Sequence, residues 1–232
     1  MNTNTIQIDD RTFTASEIIP LLSDYQMLGK LRRELIIDRA IESVSCTPLE
    51  VTETIEKFYQ QRGLHSVGDR QTWLQQQGLT SERVKSLTIR QLKIQKFKEI
   101  TWGNKLQPYF IRRKRQLDRV VFSIIRTDKL ELAQELYFRL QAGEESFADL
   151  AQKYSQGSES IIGGFVGPIE LGNLPSALVQ VLTTSQPKQI CPMSQGKWQT
   201  IVRLEKNLPA KLDDSMRQRL LDELFELWLQ NK

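Results

Sequence analysis

Hydrophobic residues recur at helical spacing through the first half of the chain. Apolar positions three or four residues apart predict a long helix over about Asp24–Val44 and another over about residues 80–102. A third helix is predicted to start at Pro48, because Thr47 can cap it and Glu50 lies where a capping box needs an acidic residue. The first half of the chain is therefore predicted to be helical.

The C-terminal tail carries a wide apolar stripe at helical spacing. A helix with such a face has to pack against another part of the protein, and the N-terminal helices are the nearest candidate. The two ends of the chain are therefore predicted to form one helical domain, residues 1–118 completed by residues 207–232, with residues 119–206 inserted between them. The stripe consists of Met216, Leu220, Leu221, Leu224, Phe225, Trp228 and Leu229.

The predicted strands lie in the inserted stretch. It begins with Val120–Arg126, a run rich in valine and isoleucine, and it ends with a similar run, Trp198–Leu204. Two amphipathic helices are predicted between these strands. The pair Gly163-Gly164 follows them, and glycines there permit positive φ and a close approach of the backbone. Helices and strands together predict an α+β protein.

Cysteine and histidine usage excludes one class of metal site. Cys46 and Cys191 lie far apart and have no metal-ligand spacing, and His65 is the single histidine of the chain. A zinc site built from Cys and His ligands is thereby excluded. We expect no metal and no other cofactor.

The net charge and the hydropathy of the chain limit the binding partners that we expect. The net charge of +4 is mild, and the basic run Arg112–Arg115 has no aromatic platform, recognition helix or zinc module beside it. We therefore expect no binding to nucleic acid. No run approaches the ~18 consecutive apolar residues that a membrane span needs. The N-terminus lacks a basic start followed by an apolar core, so we expect no secretory signal and a cytoplasmic protein.

Six short segments of the chain occur in an order that is typical of one domain family. They are Phe122–Asp128, Ala133–Leu136, Ser146–Ser155, Gly163–Gly167, Leu174–Leu178 and Ile201–Glu205. In this order they resemble the parvulin type of peptidyl-prolyl cis-trans isomerase domain. The flanking helices are similar to those of SurA-like and trigger-factor-like chaperones, and the combination resembles helical-plus-parvulin proteins of cyanobacteria. The resemblance implies a small antiparallel sheet flanked by helices, inserted into a helical domain that binds unfolded chains.

The resemblance also implies a proline-binding pocket, and this chain departs from the family at the polar centre of that pocket. Parvulins place a histidine at the position of Phe122 and an acidic residue at the position of Phe165. A second histidine corresponds to Gln199 or Thr200, depending on the register of the last strand. The apolar wall is kept in kind, and no catalytic residue can be assigned. The predicted substrate-binding residues are Phe122, Phe165, Leu174, Leu178, Trp198 and Thr200.

Two functions are expected from this resemblance. Rotation about an X–Pro bond crosses a barrier of about 18–20 kcal/mol and needs no nucleophile, so a pocket that favours the twisted state can accelerate it. The first expected function is a foldase or chaperone of the peptidyl-prolyl isomerase class. It would bind unfolded or proline-containing polypeptides, with weak or absent isomerisation. The alternative is a non-catalytic adaptor for a specific partner, such as the substrate of a secretion system.

Overall fold

The two ends of the chain lie in one structural unit. A computed structural model describes residues 5–232, so the first four residues of the predicted helical domain lie outside the described residues. One unit comprises the chain up to Leu106 together with Arg217–Lys232, and the other comprises Gln107–Met216. The predicted domain boundaries, after residues 118 and 206, both fall inside the second unit. The predicted α+β class, with a small antiparallel sheet inserted into a helical part, is confirmed.

Helices dominate the described part of the chain before residue 118. The first elements are β1 (Thr5–Ile8), β2 (Arg11–Thr14), α1 (Ala15–Asp24), α2 (Leu28–Ile41), α3 (Pro48–Gln60), α4 (Val67–Gln77), α5 (Ser81–Trp102) and α6 (Leu106–Leu117). The later elements are β3 (Arg119–Thr127), α7 (Leu130–Ala142), α8 (Phe147–Tyr154), β4 (Phe165–Glu170), α9 (Ser176–Thr184), β5 (Ile190–Gln195), β6 (Trp198–Leu208) and α10 (Asp214–Gln230). Strands β1 and β2 pair with each other as a hairpin.

Local sequence explains where the early helices start. At α3 the Thr47 hydroxyl accepts a hydrogen bond from the Glu50 amide at 3.3 Å, and the Glu50 carboxylate accepts one from the Thr47 amide at 2.7 Å. This is the predicted capping box. Helix α2 is shorter than predicted, because Gln26 adopts a φ of 57° and breaks the chain direction before Leu28.

The C-terminal helix packs on α5 through aromatic side chains. Phe97 and Trp102 of α5 meet Phe225 and Trp228 of α10, with ring centroids 5.4–6.3 Å apart. Burying each large apolar side chain contributes roughly 1.5–3 kcal/mol. The apolar stripe of the tail is therefore covered by an N-terminal helix, as its pattern predicted.

The second unit is built on a four-stranded antiparallel sheet in the order β4-β3-β6-β5. Side chains alternate between its two faces. One face packs on α9 through residues such as Phe122 and Val202, and the other packs on α7 and α8 through residues such as Ile125 and Ile201. Strand β5 extends past Pro192, which an edge strand tolerates because one side of its backbone needs no partner.

Candidate functional site

A cavity of about 240 Å³ opens on the α9 face of the sheet. It is smaller than the roughly 300–1,000 Å³ of pockets that enclose whole small molecules. A site of this size suits a single side chain of a larger ligand. Its lining consists of Phe122, Ile124, Arg126, Glu159, Val166, Leu174, Pro175, Leu178, Met193, Gln195, Trp198 and Thr200.

The wall of this cavity is mostly apolar. Phe122 of β3 and Leu178 of α9 are both buried and belong to one hydrophobic cluster. Val166, Leu174 and Met193 are half-buried and pack against the same cluster. A ligand group in the cavity would therefore lose its contact with water on several sides.

One corner of the cavity is polar. Arg126 Nε donates to Glu159 Oε1 at 2.9 Å, and Arg126 Nη2 donates to Glu159 Oε2. The Glu159 side chain is 6% exposed, whereas that of Arg126 is 40% exposed. Such a bidentate contact fixes the plane of the guanidinium. The cavity thus combines an apolar wall with one oriented cation whose charge is balanced.

The loop before β4 holds Glu159 in place. Ser155 Oγ donates to Glu159 Oε1 at 3.1 Å, and the Gly164 amide donates to the Glu159 carbonyl oxygen at 2.7 Å. Gly164 has a φ of 77°, and a Cβ there would lie 2.5 Å from the Ile124 carbonyl oxygen. The glycine pair therefore permits the predicted close approach of this loop to β3.

Hydrogen bonds keep the Glu159 carboxylate ionised. Burial raises the pKa of Glu159, but hydrogen bonds from Arg126, from its own backbone amide and from Ser155, with the Arg126 charge, outweigh that effect. The net result is a pKa below its ordinary value. The same contact raises the pKa of Arg126.

Strand register decides between the two candidates in β6. Thr200 is the Cα partner of Arg126 on β3 and of Met193 on β5, and it lines the cavity with both. Gln199 is outside this lining, and its side-chain oxygen accepts a hydrogen bond from Ser194. Thr200 is therefore the residue that stands in the site.

The structure gathers all but one of the predicted substrate-binding residues at this cavity. Phe122, Leu174, Leu178, Trp198 and Thr200 line it. Phe165, which was also expected there, does not.

The pairing of β4 with β3 explains the position of Phe165. Val166 is the Cα partner of Phe122, and Phe165 is the partner of Ser123. Directly paired residues of antiparallel strands share a face, so Val166 takes the cavity side and Phe165, 48% exposed, lies on the other side. Phe165 therefore lies outside this cavity, and its part in substrate binding stays a prediction.

Comparison with known proteins agrees with this architecture. A family model described as "Rotamase: PPIC-type PPIASE domain" matches residues 125–204. The chain carries a parvulin domain. The match covers β3 from Ile125 through most of β6, so it includes Arg126, Glu159, Leu178 and Thr200 of the cavity.

The chain is similar to proteins named as a chaperone, a foldase and a peptidylprolyl isomerase. Chaperone SurA of Bordetella pertussis is 32% identical over 95 residues, which are 40% of this chain and 18% of that protein. Foldase protein PrsA of Halalkalibacterium halodurans is 29% identical over 162 residues, 65% of this chain and 48% of that protein. A solved structure of the peptidylprolyl isomerase PrsA from Bacillus cereus has a TM-score of 0.47 and 18% identity, covering 99% of this chain and 87% of that one.

The chain spans less than half the length of these two curated relatives. The structure contains both a helical part and a parvulin domain, as the sequence predicted. In the part of the chain that the structure describes, no group of three or more His, Cys, Asp or Glu side chains is arranged to hold a metal ion.

Sequence reasoning missed the polar corner of the parvulin domain. Arg126 and Glu159 are separated by 32 intervening residues, and neither corresponds to a polar position that the family resemblance named. One signal was present: Arg126 follows Phe122 by four residues in the same strand, so both side chains point to one face.

Proposed function

We propose that this protein is a foldase or chaperone that binds unfolded or proline-containing polypeptides, with weak or absent isomerisation. The observation that carries the proposal is the apolar cavity of the parvulin domain, which is sized for one side chain and walled by Phe122 and Leu178. The names of its relatives, Chaperone SurA and Foldase protein PrsA, support the same class.

The composition of the cavity favours binding over fast turnover. Isomerisation is accelerated only by interactions that are stronger in the twisted state than in the ground state. The apolar wall supplies desolvation, and Phe122 stands where the family resemblance places a histidine. Arg126, Gln195, Trp198 and Thr200 are the lining side chains that carry hydrogen-bond donors. We therefore expect a low rate of isomerisation.

The unit that comprises the chain up to Leu106 and Arg217–Lys232, here called the helical unit, offers a second surface for an extended chain. Leu28, Leu31 and Leu35 are exposed along α2 at a spacing of three and four residues. They line a shallow depression of about 680 Å³ that also includes Arg32 and Arg39. Exposed apolar surface of this kind marks interaction sites in soluble proteins. It supports a division in which the helices hold unfolded segments and the parvulin domain holds proline.

A non-catalytic adaptor is the second candidate function. It is favoured by Phe122, which is 2% exposed and brings no ionisable group to the cavity. Such an adaptor would recruit one partner, for example the substrate of a secretion system. A proline-isomerisation assay separates the candidates, because an adaptor gives no rate above that of the uncatalysed peptide.

Substitution of Leu178 tests the pocket assignment. Leu178→Ala should weaken the binding of a labelled Ala-Pro peptide about tenfold, because the proline would lose apolar contact area. Fluorescence anisotropy of the peptide measures the dissociation constant. Leu182→Ala is the matched control, since Leu182 is buried in the same helix and cluster but does not line the cavity. Equal affinities of Leu178→Ala and wild type would overturn the assignment.

The location of the protein is also a proposal. We propose that it acts in the cytoplasm, and fractionation of the source cells with an antibody to the chain would test this. Among residues 5–232, no helix combines the length and the apolar character needed to cross a membrane.

A further inference from the structure

The charged pair in the parvulin domain has features of a binding device. Arg126 and Glu159 both line the cavity that the proposed function assigns to proline. Glu159 is buried in its wall, and Arg126 remains partly open to solvent. A pair that served only to join the loop to β3 would not need to face a cavity.

Gly157 lies next to the Arg126–Glu159 pair and leaves room for both side chains. Gly157 has a φ of −90°, a value open to any residue, so its backbone does not require glycine. A Cβ at Gly157 would nevertheless overlap both Glu159 carboxylate oxygens and Arg126 Nη2. The missing Cβ at Gly157 thus leaves room for the carboxylate, which the hydrogen bond from Ser155 holds in its contact with Arg126. The orientation of the Arg126 guanidinium is therefore set before any ligand arrives.

The guanidinium keeps donors that Glu159 does not use. Arginine carries five N–H groups, and the contacts with Glu159 occupy Nε and Nη2. Arg126 Nη1 makes no hydrogen bond to the described residues. The free donors lie on a side chain that lines the cavity, beside Thr200 on the neighbouring strand.

A proline-containing chain presents the complementary group. Proline has no backbone N–H, so the peptide unit that precedes it offers only its carbonyl oxygen. When the proline ring enters an apolar cavity, that carbonyl oxygen loses water and needs a donor. Arg126 is the cationic donor at the cavity, and its charge is balanced by Glu159.

We infer that Arg126 donates a hydrogen bond to the client carbonyl oxygen next to proline, and that Glu159 cancels its charge, so that the pocket favours a neutral residue over an acidic one before proline. This inference rests on the proposed function. Arg126 then binds the peptide directly, and Glu159 is the positioning residue that acts through Arg126 and sets the specificity. The ligand class is an extended chain with an uncharged residue before its proline.

Peptide binding to the full chain tests the inference. Two labelled peptides that differ only in Ala-Pro against Glu-Pro are titrated by fluorescence anisotropy. Wild type should bind the Ala-Pro peptide more tightly than the Glu-Pro peptide. Arg126→Met should weaken that binding about tenfold, as expected for loss of a hydrogen bond from a charged donor.

Substitution of Glu159 gives the sharper readout. Glu159→Gln keeps the shape of the side chain but leaves the Arg126 charge uncompensated, so the preference should reverse toward the Glu-Pro peptide. The new affinity should fall with added salt, because a partly exposed charge attraction is screened. The double variant Arg126→Met/Glu159→Gln should lose this reversal. If Glu159 had only a structural role, Glu159→Gln would weaken the binding of both peptides equally.

The outcomes separate this inference from the proposed function. If wild type and Leu178→Ala bind the Ala-Pro peptide equally, the proposed function fails. If Leu178→Ala loses affinity while Arg126→Met does not, only the carbonyl contact is overturned. An unchanged preference in Glu159→Gln overturns the charge cancellation.

A measurement on wild type guards against variants that fail to fold. An Ala-Pro peptide whose carbonyl oxygen before proline is replaced by sulfur is a weaker hydrogen-bond acceptor. It should bind wild type several-fold less tightly than the ordinary peptide, because sulfur weakens but does not remove a hydrogen bond worth about a factor of ten. Equal binding of the two peptides would contradict the contact.

Discussion

Each unit contains an ion pair with a buried partner. The buried partner is the cation in one pair and the anion in the other. In the helical unit Lys98 is 8% exposed, and its Nζ lies 2.7 Å from Oδ1 of the half-exposed Asp222. In the parvulin domain the anion, Glu159, is the buried partner and the cation, Arg126, is the partly exposed one. Both contacts are ion pairs, but the more exposed partner is the Asp222 carboxylate in the first and the Arg126 guanidinium in the second.

The surroundings of the two pairs show what each does. Lys98 Nζ lies 4.7 Å from the ring centroid of Phe225, inside the aromatic contact between α5 and α10. The packed side chains cover the Lys98 charge, and its contact with Asp222 joins the two helices. Arg126 instead faces a cavity. Because a buried ion pair is weak evidence for stability by itself, the cavity is what distinguishes a binding role from a packing role.

Removing the ring beside Lys98 should give the largest effect on stability. Phe225→Ala is expected to lower the free energy of unfolding by about 3–5 kcal/mol, because it leaves a cavity in a packed aromatic cluster. Trp102 and Trp228 contact this ring. Urea denaturation followed by tryptophan fluorescence measures the change.

An exposed phenylalanine provides the control for that experiment. Phe138 lies on α7 with most of its side chain in solvent, so Phe138→Ala should change the free energy of unfolding by less than about 0.5 kcal/mol. Phe225→Ala should also leave the affinity for the Ala-Pro peptide unchanged below its unfolding transition. A loss of affinity as large as that of Leu178→Ala would contradict the contrast between packing and binding.

The architecture could be predicted from the sequence because its evidence is local or periodic. The capping box at Thr47 and Glu50 lies within four residues, and the apolar stripe around Phe225 repeats along one helix. The parvulin domain could be recognised from motifs of a few residues each. Such patterns survive without knowledge of the tertiary contacts.

The polar corner could not be predicted because it depends on contacts across the fold. Glu159 reaches Arg126 through the loop after α8, where the Gln156 amide donates to the Arg126 carbonyl oxygen and the Arg126 amide donates to Ser155 Oγ. No spacing in the sequence joins Arg126 and Glu159. The position of Phe165 outside the cavity depends on strand pairing in the same way. Strand β3 shifts register between Val120 and Phe122 against β4, and one residue of shift exchanges the two faces of a strand.

A substitution at Gly157 should have an intermediate effect confined to the binding pair. Gly157→Ala places a methyl group where the Glu159 carboxylate and Arg126 Nη2 lie. Displacing a buried carboxylate from its partners is expected to cost about 1–2 kcal/mol of unfolding free energy. It should also weaken Ala-Pro peptide binding, because the guanidinium loses its fixed orientation. Chemical denaturation and anisotropy measure the two effects.

Gly29 in the helical unit is the matched control for Gly157. A Cβ at Gly29 would meet no atom within 4 Å, and alanine in a helix is favoured over glycine by up to about 1 kcal/mol. Gly29→Ala should therefore keep or raise stability and leave peptide binding unchanged. If Gly157→Ala behaved in the same way, the close fit around the charged pair would be irrelevant to its role.

The smallest expected effect is the pH dependence of the pair in the parvulin domain. The pKa of Glu159 in the folded protein lies below its ordinary value of 4.5. Its contribution to stability is therefore complete above that ordinary value and is lost as the pH falls through the folded pKa. The unfolding free energies of wild type and Glu159→Gln should differ by about 1 kcal/mol near neutral pH, since the partner Arg126 is partly screened by solvent. Below about pH 4.5 that difference should shrink, because the protonated carboxyl and the amide are both neutral. Denaturation of both proteins across this range measures the difference, and a gap that stays constant into acid would mean that the Glu159 charge does not stabilise the fold.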